Sequence, residues 1–257
     1  MNGTVPGIVG FTVSLVLAPL VPGIVNRIKA IAAGRRGQPL LQGYRDLRKL
    51  LSRGAVYSRT TSWVFKAGPA VGLAAAAAGL ALVPWSGRSF VQFQGDLLVF
   101  AFLFGLSRFA TIIAALDTGS AFEGIGASRE AWFGALIEPA LLLALASLAR
   151  GAGGLSLGQV LAVGKLPGPA GILAAGSLYV VFLAENARVP VDDPNTHLEL
   201  TMIHEVMVLD HTGPDLAMIE YGAALKLWAF GSLVVEHSCR EPGNGPWTSP
   251  SGWRACS

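Results

Sequence analysis

Cysteine and charge are both scarce in this chain. Its two cysteines, Cys239 and Cys256, lie beyond Val235, so no thiolate-held iron–sulfur cluster or zinc site is expected before that point. Charged residues make up 14% of the sequence, against about 25% in soluble globular proteins. Catalytic motifs are missing too. No His-Glu-x-x-His occurs, and among His197, Glu199, His204 and Glu205 the first two stand two apart, on different faces of a helix, so a metal site is not expected. Gly124-Ile125-Gly126 lacks the third glycine and the preceding strand of a dinucleotide loop and reads as a flexible turn. There is no nucleophile elbow or triad, which leaves a non-catalytic or coupling role rather than a stand-alone enzyme. An independent transporter would favour inverted repeats and paired broken helices, and neither is seen.

What the chain has is apolar length. Hydrophobic residues make up 52% of it and the mean hydropathy is +0.53. Six segments are long enough to cross a bilayer, which takes about 20 residues: Thr4–Val25, Trp63–Trp85, Leu97–Leu116, Ala131–Ala149, Pro169–Glu185 and Leu216–Val235. The fold expected is all-α, a polytopic helical bundle with about six transmembrane helices plus an amphipathic cytoplasmic helix. The first segment reads as a permanent span, since no basic residue precedes it and Pro6, Pro19 and Pro22 suit a signal core poorly. Residues 1–235 form the expected membrane domain. Residues 236–257 read as a polar tail outside it, disordered or the product of a truncation.

The first long connection holds Arg27, Lys29, Arg35, Arg36, Arg45, Arg48, Lys49, Arg53 and Arg59 against a single acid, Asp46. The positive-inside rule makes this loop cytoplasmic and the N-terminus external. Alternation then puts Thr118–Glu130 and Arg188–Asp215 on the same side as the basic loop. Within that loop Leu40, Tyr44, Leu47 and Leu51 recur at helical spacing among basic residues, which predicts an amphipathic helix. It serves either as a lipid anchor or as a docking surface formed by Arg35, Arg36, Arg45, Arg48 and Lys49.

Carboxylates gather where a membrane protein has reason to avoid them. Each charge costs roughly 2.5–3.5 kcal/mol at the centre of a span on insertion scales. Asp117, Glu123, Arg129, Glu130 and Glu138 surround the inner ends of the third and fourth spans, and Glu138 precedes the kink-prone Pro139. Glu138 is a candidate proton relay; the alternative is an ion pair with Arg129 or Arg108. A second group runs from Glu185 and Arg188 through Asp192 and Asp193 to Glu199 and Glu205. Thr196-His197-Leu198-Glu199 matches a capping box, which gives Glu199 a structural task. Glu205 falls on a stripe with Leu198, Met202 and Leu209, and a carboxylate in such a stripe is expected to face protein or a wet cavity.

Three passages then carry a resemblance. They are Arg35-Arg36-Gly37-Gln38-Pro39 through Tyr44-Arg45-Asp46-Leu47-Arg48-Lys49; Leu116-Asp117-Thr118-Gly119-Ser120 with Gly126-Ala127-Ser128-Arg129-Glu130 and Glu138-Pro139; and Ala184-Glu185-Asn186 through Asp192-Asp193-Pro194 to His204-Glu205. The chain resembles the family of membrane subunits that includes formate hydrogenlyase subunit 4, hydrogenase-4 component C and subunit 1 of respiratory NADH:quinone oxidoreductase, with the hydrogenase branch closer. Gln38 and Gly43 stand where that family tends to have proline, and the family usually continues with further spans beyond the position of Trp228.

The resemblance implies a coupling subunit of an energy-converting nickel–iron hydrogenase complex in the plasma membrane. It would anchor a peripheral redox arm and link electron transfer to proton or sodium movement. Its implied partners are the hydrogenase small and large subunits, antiporter-like membrane subunits and the lipid bilayer, with no nucleic acid. Iron–sulfur and nickel–iron centres are expected in those partners and no cofactor in this chain. The resemblance implies ion-coupling roles for Glu138, Glu185, Arg188, Asp192, Asp193, Glu199 and Glu205, to which the cluster at the inner ends of the third and fourth spans adds Asp117 and Glu130. The respiratory branch would place a quinone site in the same region, and a third possibility is an anchor without an ion path.

Overall fold

A computed structural model describes residues 5–84, 89–163, 169–188, 192 and 202–239. Every regular element among them is helical. In chain order they are α1 (Val5–Leu17), α2 (Leu20–Ala32), α3 (Gln42–Leu51), α4 (Trp63–Leu82), α5 (Asp96–Asp117), α6 (Ala121–Ala152), α7 (Leu157–Val163), α8 (Pro169–Glu185), α9 (Ile203–Met207) and α10 (Pro214–Cys239).

Four helices, α4, α5, α6 and α10, are each long and apolar enough to cross a membrane. The first expected span is a pair, α1 and α2, bent by 49° where Ala18 and Pro19 separate the helices. Pro19 and Pro22 account for the break, since proline supplies no amide hydrogen and crowds the preceding turn. The segment expected at Pro169–Glu185 is α8, a shorter apolar helix.

Between apolar helices in lipid, close packing rather than water exclusion drives association, and small residues let backbones approach. The α4 sequence is built for this. Gly68, Gly72, Ala76 and Gly79 are buried on one side. A β-carbon at Gly68 would lie 2.7 Å from the Ala114 side chain, and one at Gly79 2.7 Å from the Phe104 ring. The Ser107 hydroxyl, on α5, donates to the Gly72 carbonyl at 3.0 Å across the same contact. On the next face of α5, Phe100 and Phe104 meet Phe230 of α10 at ring separations of 5.4 and 5.0 Å.

One expectation is corrected. Residues 118–130 were expected to form a loop, but α6 begins at Ala121, so only Thr118-Gly119-Ser120 separate it from α5. The supposed turn at Gly124-Ile125-Gly126 is therefore helical. Gly126 serves packing: a β-carbon there would come within 3.0 Å of Met207 and 3.2 Å of the Ile203 carbonyl, both on α9. At the other end of the chain, α10 continues through the buried Glu236 to Cys239. Residues 240–257 lie outside the described part of the chain.

The described parts of the three charge-rich segments lie at one end of the bundle, as their alternation implies. The Val56 amide donates to the Thr212 hydroxyl, the Asp210 amide to Glu123, and the Phe65 ring stacks on His211 at 3.9 Å. Gly213, with φ of +59°, fits under the Gly54 carbonyl, where any side chain would be strained and crowded. At the other end the buried Asp96 accepts from the Leu157 amide at 2.6 Å and the Ser156 hydroxyl at 3.0 Å, fastening the start of α7.

Candidate functional site

Arg108 is the centre of the site. It projects from α5, is 5% exposed, and meets three carboxylates from two other helices. Its Nε lies 3.3 Å from Glu130 and its Nη1 3.3 Å from Glu138, both on α6, while Nη2 pairs with Glu185 at the end of α8. Lys226 of α10 closes the cluster, with Nζ 2.6 Å from the second oxygen of Glu185. Two cations and three carboxylates from four helices thus meet, all buried except the half-exposed Glu138. A planar guanidinium with five donors suits this position, because it can address several carboxylates at once.

The sequence of α6 explains the geometry. Glu130, Gly134 and Glu138 are spaced four apart and share one helix face. Arg108 lies across the gap at Gly134, where a β-carbon would be 2.7 Å from Nη1. The accommodation is mutual: a β-carbon at Gly105 of α5 would lie 2.9 Å from Oε1 of Glu138. Each helix places a glycine opposite the charged group of the other. Glu138, near the middle of the 32-residue α6, keeps 48% of its side chain exposed on the outer face.

Two cavities border the cluster. One of about 60 Å³ lies among α4, α5, α6, α9 and α10, with Ser107, Arg108, Glu130, His204 and Lys226 in its wall. The other, about 260 Å³, lies between the break of α1 and α2, the amphipathic α3, the end of α8 and α10. Pro19, Leu47, Glu185, Arg188 and Glu220 line it. His204, Ala223 and Lys226 belong to both. Either volume exceeds the ~10–15 Å³ that a water requires, and each wall offers several polar partners.

The remaining expected residues fall elsewhere. Asp117 sits at the start of α4, where it accepts from the Ser62 amide at 2.6 Å, the Ser62 hydroxyl at 2.8 Å and the Phe65 amide at 3.3 Å. Asp192 is buried and accepts from the Ile203 and His204 amides, at the start of α9. Arg188 is half-buried in the wall of the larger cavity, and burial pulls its guanidinium below the ordinary arginine value. Asp193, Glu199 and the whole predicted capping box lie outside the described residues. The stripe expected to carry Glu205 inward points outward instead. Glu205 and Leu209 are exposed, whereas Ile203, Val206 and Met207 bury against α5 and α6. The docking residues Arg35, Arg36, Arg45, Arg48 and Lys49 are all exposed. The predicted amphipathic helix is α3, held by the Tyr44 hydroxyl, which donates to the Val16 carbonyl.

Sequence reasoning omitted Lys226 and His204 from the coupling group and saw Arg108 only as a possible partner of Glu138. A signal existed for Lys226, a lone cation within the apolar run Ala223–Phe230.

Fold and site together define a multi-pass membrane subunit with a buried ionic cluster linking its helices. The chain belongs to the NADH dehydrogenase family, whose model matches residues 6–236. Within it the chain is 35% identical over 216 residues to formate hydrogenlyase subunit 4 of Escherichia coli (strain K12), covering 82% of this chain and 69% of the relative. It is 33% identical over 225 residues to hydrogenase-4 component C of the same organism, covering 86% and 70%. The fold matches a chain in the structure of the membrane-bound sulfane sulfur reductase, an archaeal respiratory membrane complex. The TM-score is 0.78 at 20% identity, over 90% of this chain and 77% of that one.

Proposed function

We propose that this chain is the membrane-embedded coupling subunit of an energy-converting nickel–iron hydrogenase or formate hydrogenlyase-type complex in the plasma membrane. It anchors a peripheral redox arm and links electron transfer to proton or sodium movement. The observation that carries this reading is the cluster of Arg108, Glu130, Glu138, Glu185 and Lys226 between two polar cavities. Charged groups inside a membrane are costly and mark ion paths by default. A change of charge at one member alters its attraction to all the others, because buried charges are screened far less than exposed ones. That property lets an event beside the cluster move an ion through it.

Glu138 links the cluster to the outer face. Half-exposed there, it would cost roughly 2.5–3.5 kcal/mol against lipid, which supports a neighbouring membrane subunit of the antiporter-like kind covering α6. At the end that we assign to the cytoplasm, Arg35, Arg36, Arg45, Arg48 and Lys49 form the dock for the hydrogenase small and large subunits. Those subunits carry the iron–sulfur and nickel–iron centres. Changing Arg45, Arg48 and Lys49 to Gln should release the peripheral subunits from washed membranes, and retention would reduce the loop to a topology signal.

The central test is Glu138→Gln in the assembled complex, read as ion pumping per electron in inverted membrane vesicles. Glutamine keeps the shape and removes both charge and proton. Pumping should collapse while the complex remains intact. Glu205→Gln should lose less, because Glu205 is exposed and outside the cluster. Unchanged pumping in Glu138→Gln would leave only a membrane anchor.

A further inference from the structure

The ionic cluster is one charge out of balance. Arg108 and Lys226 supply two positive charges; Glu130, Glu138 and Glu185 supply three negative ones. Glu138 is half-exposed, but Glu130 and Glu185 are buried, where an unbalanced charge is expensive, so the arrangement favours holding one exchangeable proton. The remaining question is where that proton enters.

His204 occupies the boundary. It is the second residue of α9, and its backbone is fixed by Asp192, which accepts its amide. Its ring lines both cavities. Nδ1 lies 3.9 Å from Oε2 of Glu130, buried and without a hydrogen-bond partner among the described residues. Meanwhile 37% of the side chain is accessible. The exposed neighbour Glu205 has no such placement.

Resting on the coupling role proposed above, we propose that His204 is the proton-loading residue of the cluster, carrying a proton from the larger cavity to Glu130. Neutral His204 takes a proton from cavity water on Nε2 and becomes imidazolium. It then gives the Nδ1 proton to Glu130, directly after a small ring movement or through one bridging water. Glu130 becomes a neutral acid and the three-to-two imbalance is cancelled. His204 is left neutral, with its remaining proton on Nε2, and resets when a ring rotation turns Nδ1 to the cavity, where water adds a proton to Nδ1 and removes the one on Nε2.

The surroundings suit a carrier. Burial holds the imidazole below its ordinary 6.5, and the positive charges of Lys226 and Arg108 act in the same direction. The negative charges of Glu130 and Asp192 oppose them. The ring is therefore neutral at neutral pH and free to accept a proton.

The test uses the intact complex in inverted vesicles, with membrane potential per electron as the readout, since a permeant base would dissipate a pH gradient. His204→Ala should lower that ratio several-fold at neutral pH. Added imidazole should restore it, and pyrazole should not, being of the same shape but a far weaker base. His204→Gln, which keeps a polar side chain for packing, should show the same loss and serves if the alanine variant assembles poorly. Normal coupling in both variants would overturn the proposal, as would equal rescue by pyrazole. Glu138→Gln, run alongside and insensitive to imidazole, separates the two ideas. If Glu138→Gln pumps normally the coupling role itself fails; if it fails to pump while both His204 variants pump, only the loading role does.

Discussion

The same two residue types, aspartate and glutamate, do different work in two parts of this bundle. In the interior, Glu130, Glu138 and Glu185 face cationic side chains. At the end where the charge-rich connections meet, Asp117, Asp192 and Glu123 face backbone amides. The distinction is chemical. Glu123 ties down the turn at Asp210, whereas Asp117 and Asp192 accept helix N-terminal amides, donors with no partner inside the helix, and protonation weakens that cap. A carboxylate shared among Arg108, Lys226 and its fellow acids can gain a proton while the rest of the cluster redistributes its pairing. Acids in the first group hold helices at fixed positions. Those in the second can change charge without a change of fold.

The largest expected effect lies in the interior. Arg108→Gln leaves three carboxylates with Lys226 as the only cation of the cluster. Removing one partner of a buried ion pair typically costs about 3–5 kcal/mol, and here one guanidinium serves three partners. The assembled complex should fall well below wild-type levels in membranes, measured by immunoblot and native gel. Arg108→Lys should rescue little, since a single ammonium cannot replace a fork that reaches both α6 and α8. Adding Glu185→Gln to Arg108→Gln should recover part of the loss by removing one stranded charge. Wild-type levels of the single variant would mean that the cluster does not hold the bundle together.

Much of this architecture was legible beforehand. Apolar length located every long helix, and basic residues grouped the connections that meet at one end. Glu138 and Glu185 were visible because a carboxylate in an apolar run conflicts with its surroundings. Lys226 carries the same signal. It escaped notice because long-range pairing, here 41 positions from Glu185, leaves no local pattern. Asp117 and Asp192 were grouped with the interior acids because charge density along a chain does not tell a cap from an ion pair. The partner decides, and it comes from another helix. Gly124-Ile125-Gly126 was read as a turn for a related reason: glycine marks flexibility in isolation but close approach when a neighbour such as Met207 is present. The direction of Glu205 depended on which side of α9 packs on Gly126, and the stripe of Leu198, Met202 and Leu209 did not encode that.

The smaller effect, and the sharper division between the two regions, is expected at Asp117. Asp117→Ala removes the acceptor for the Ser62 and Phe65 amides, while Ser62 still accepts the Val64 amide. Losing a helix cap costs about 0.5–2 kcal/mol. A local loss of that size should lower the thermal midpoint of the detergent-solubilised complex by a few degrees without unfolding it. Asp117→Asn keeps one carbonyl acceptor and should fall between alanine and wild type. Neither variant should change ion pumping per electron in the complexes that remain, since no proton need pass through a residue engaged by backbone amides. The opposite pattern, normal thermal stability with lost pumping in Asp117→Asn, would place Asp117 on the ion path and erase the distinction between capping and coupling acids.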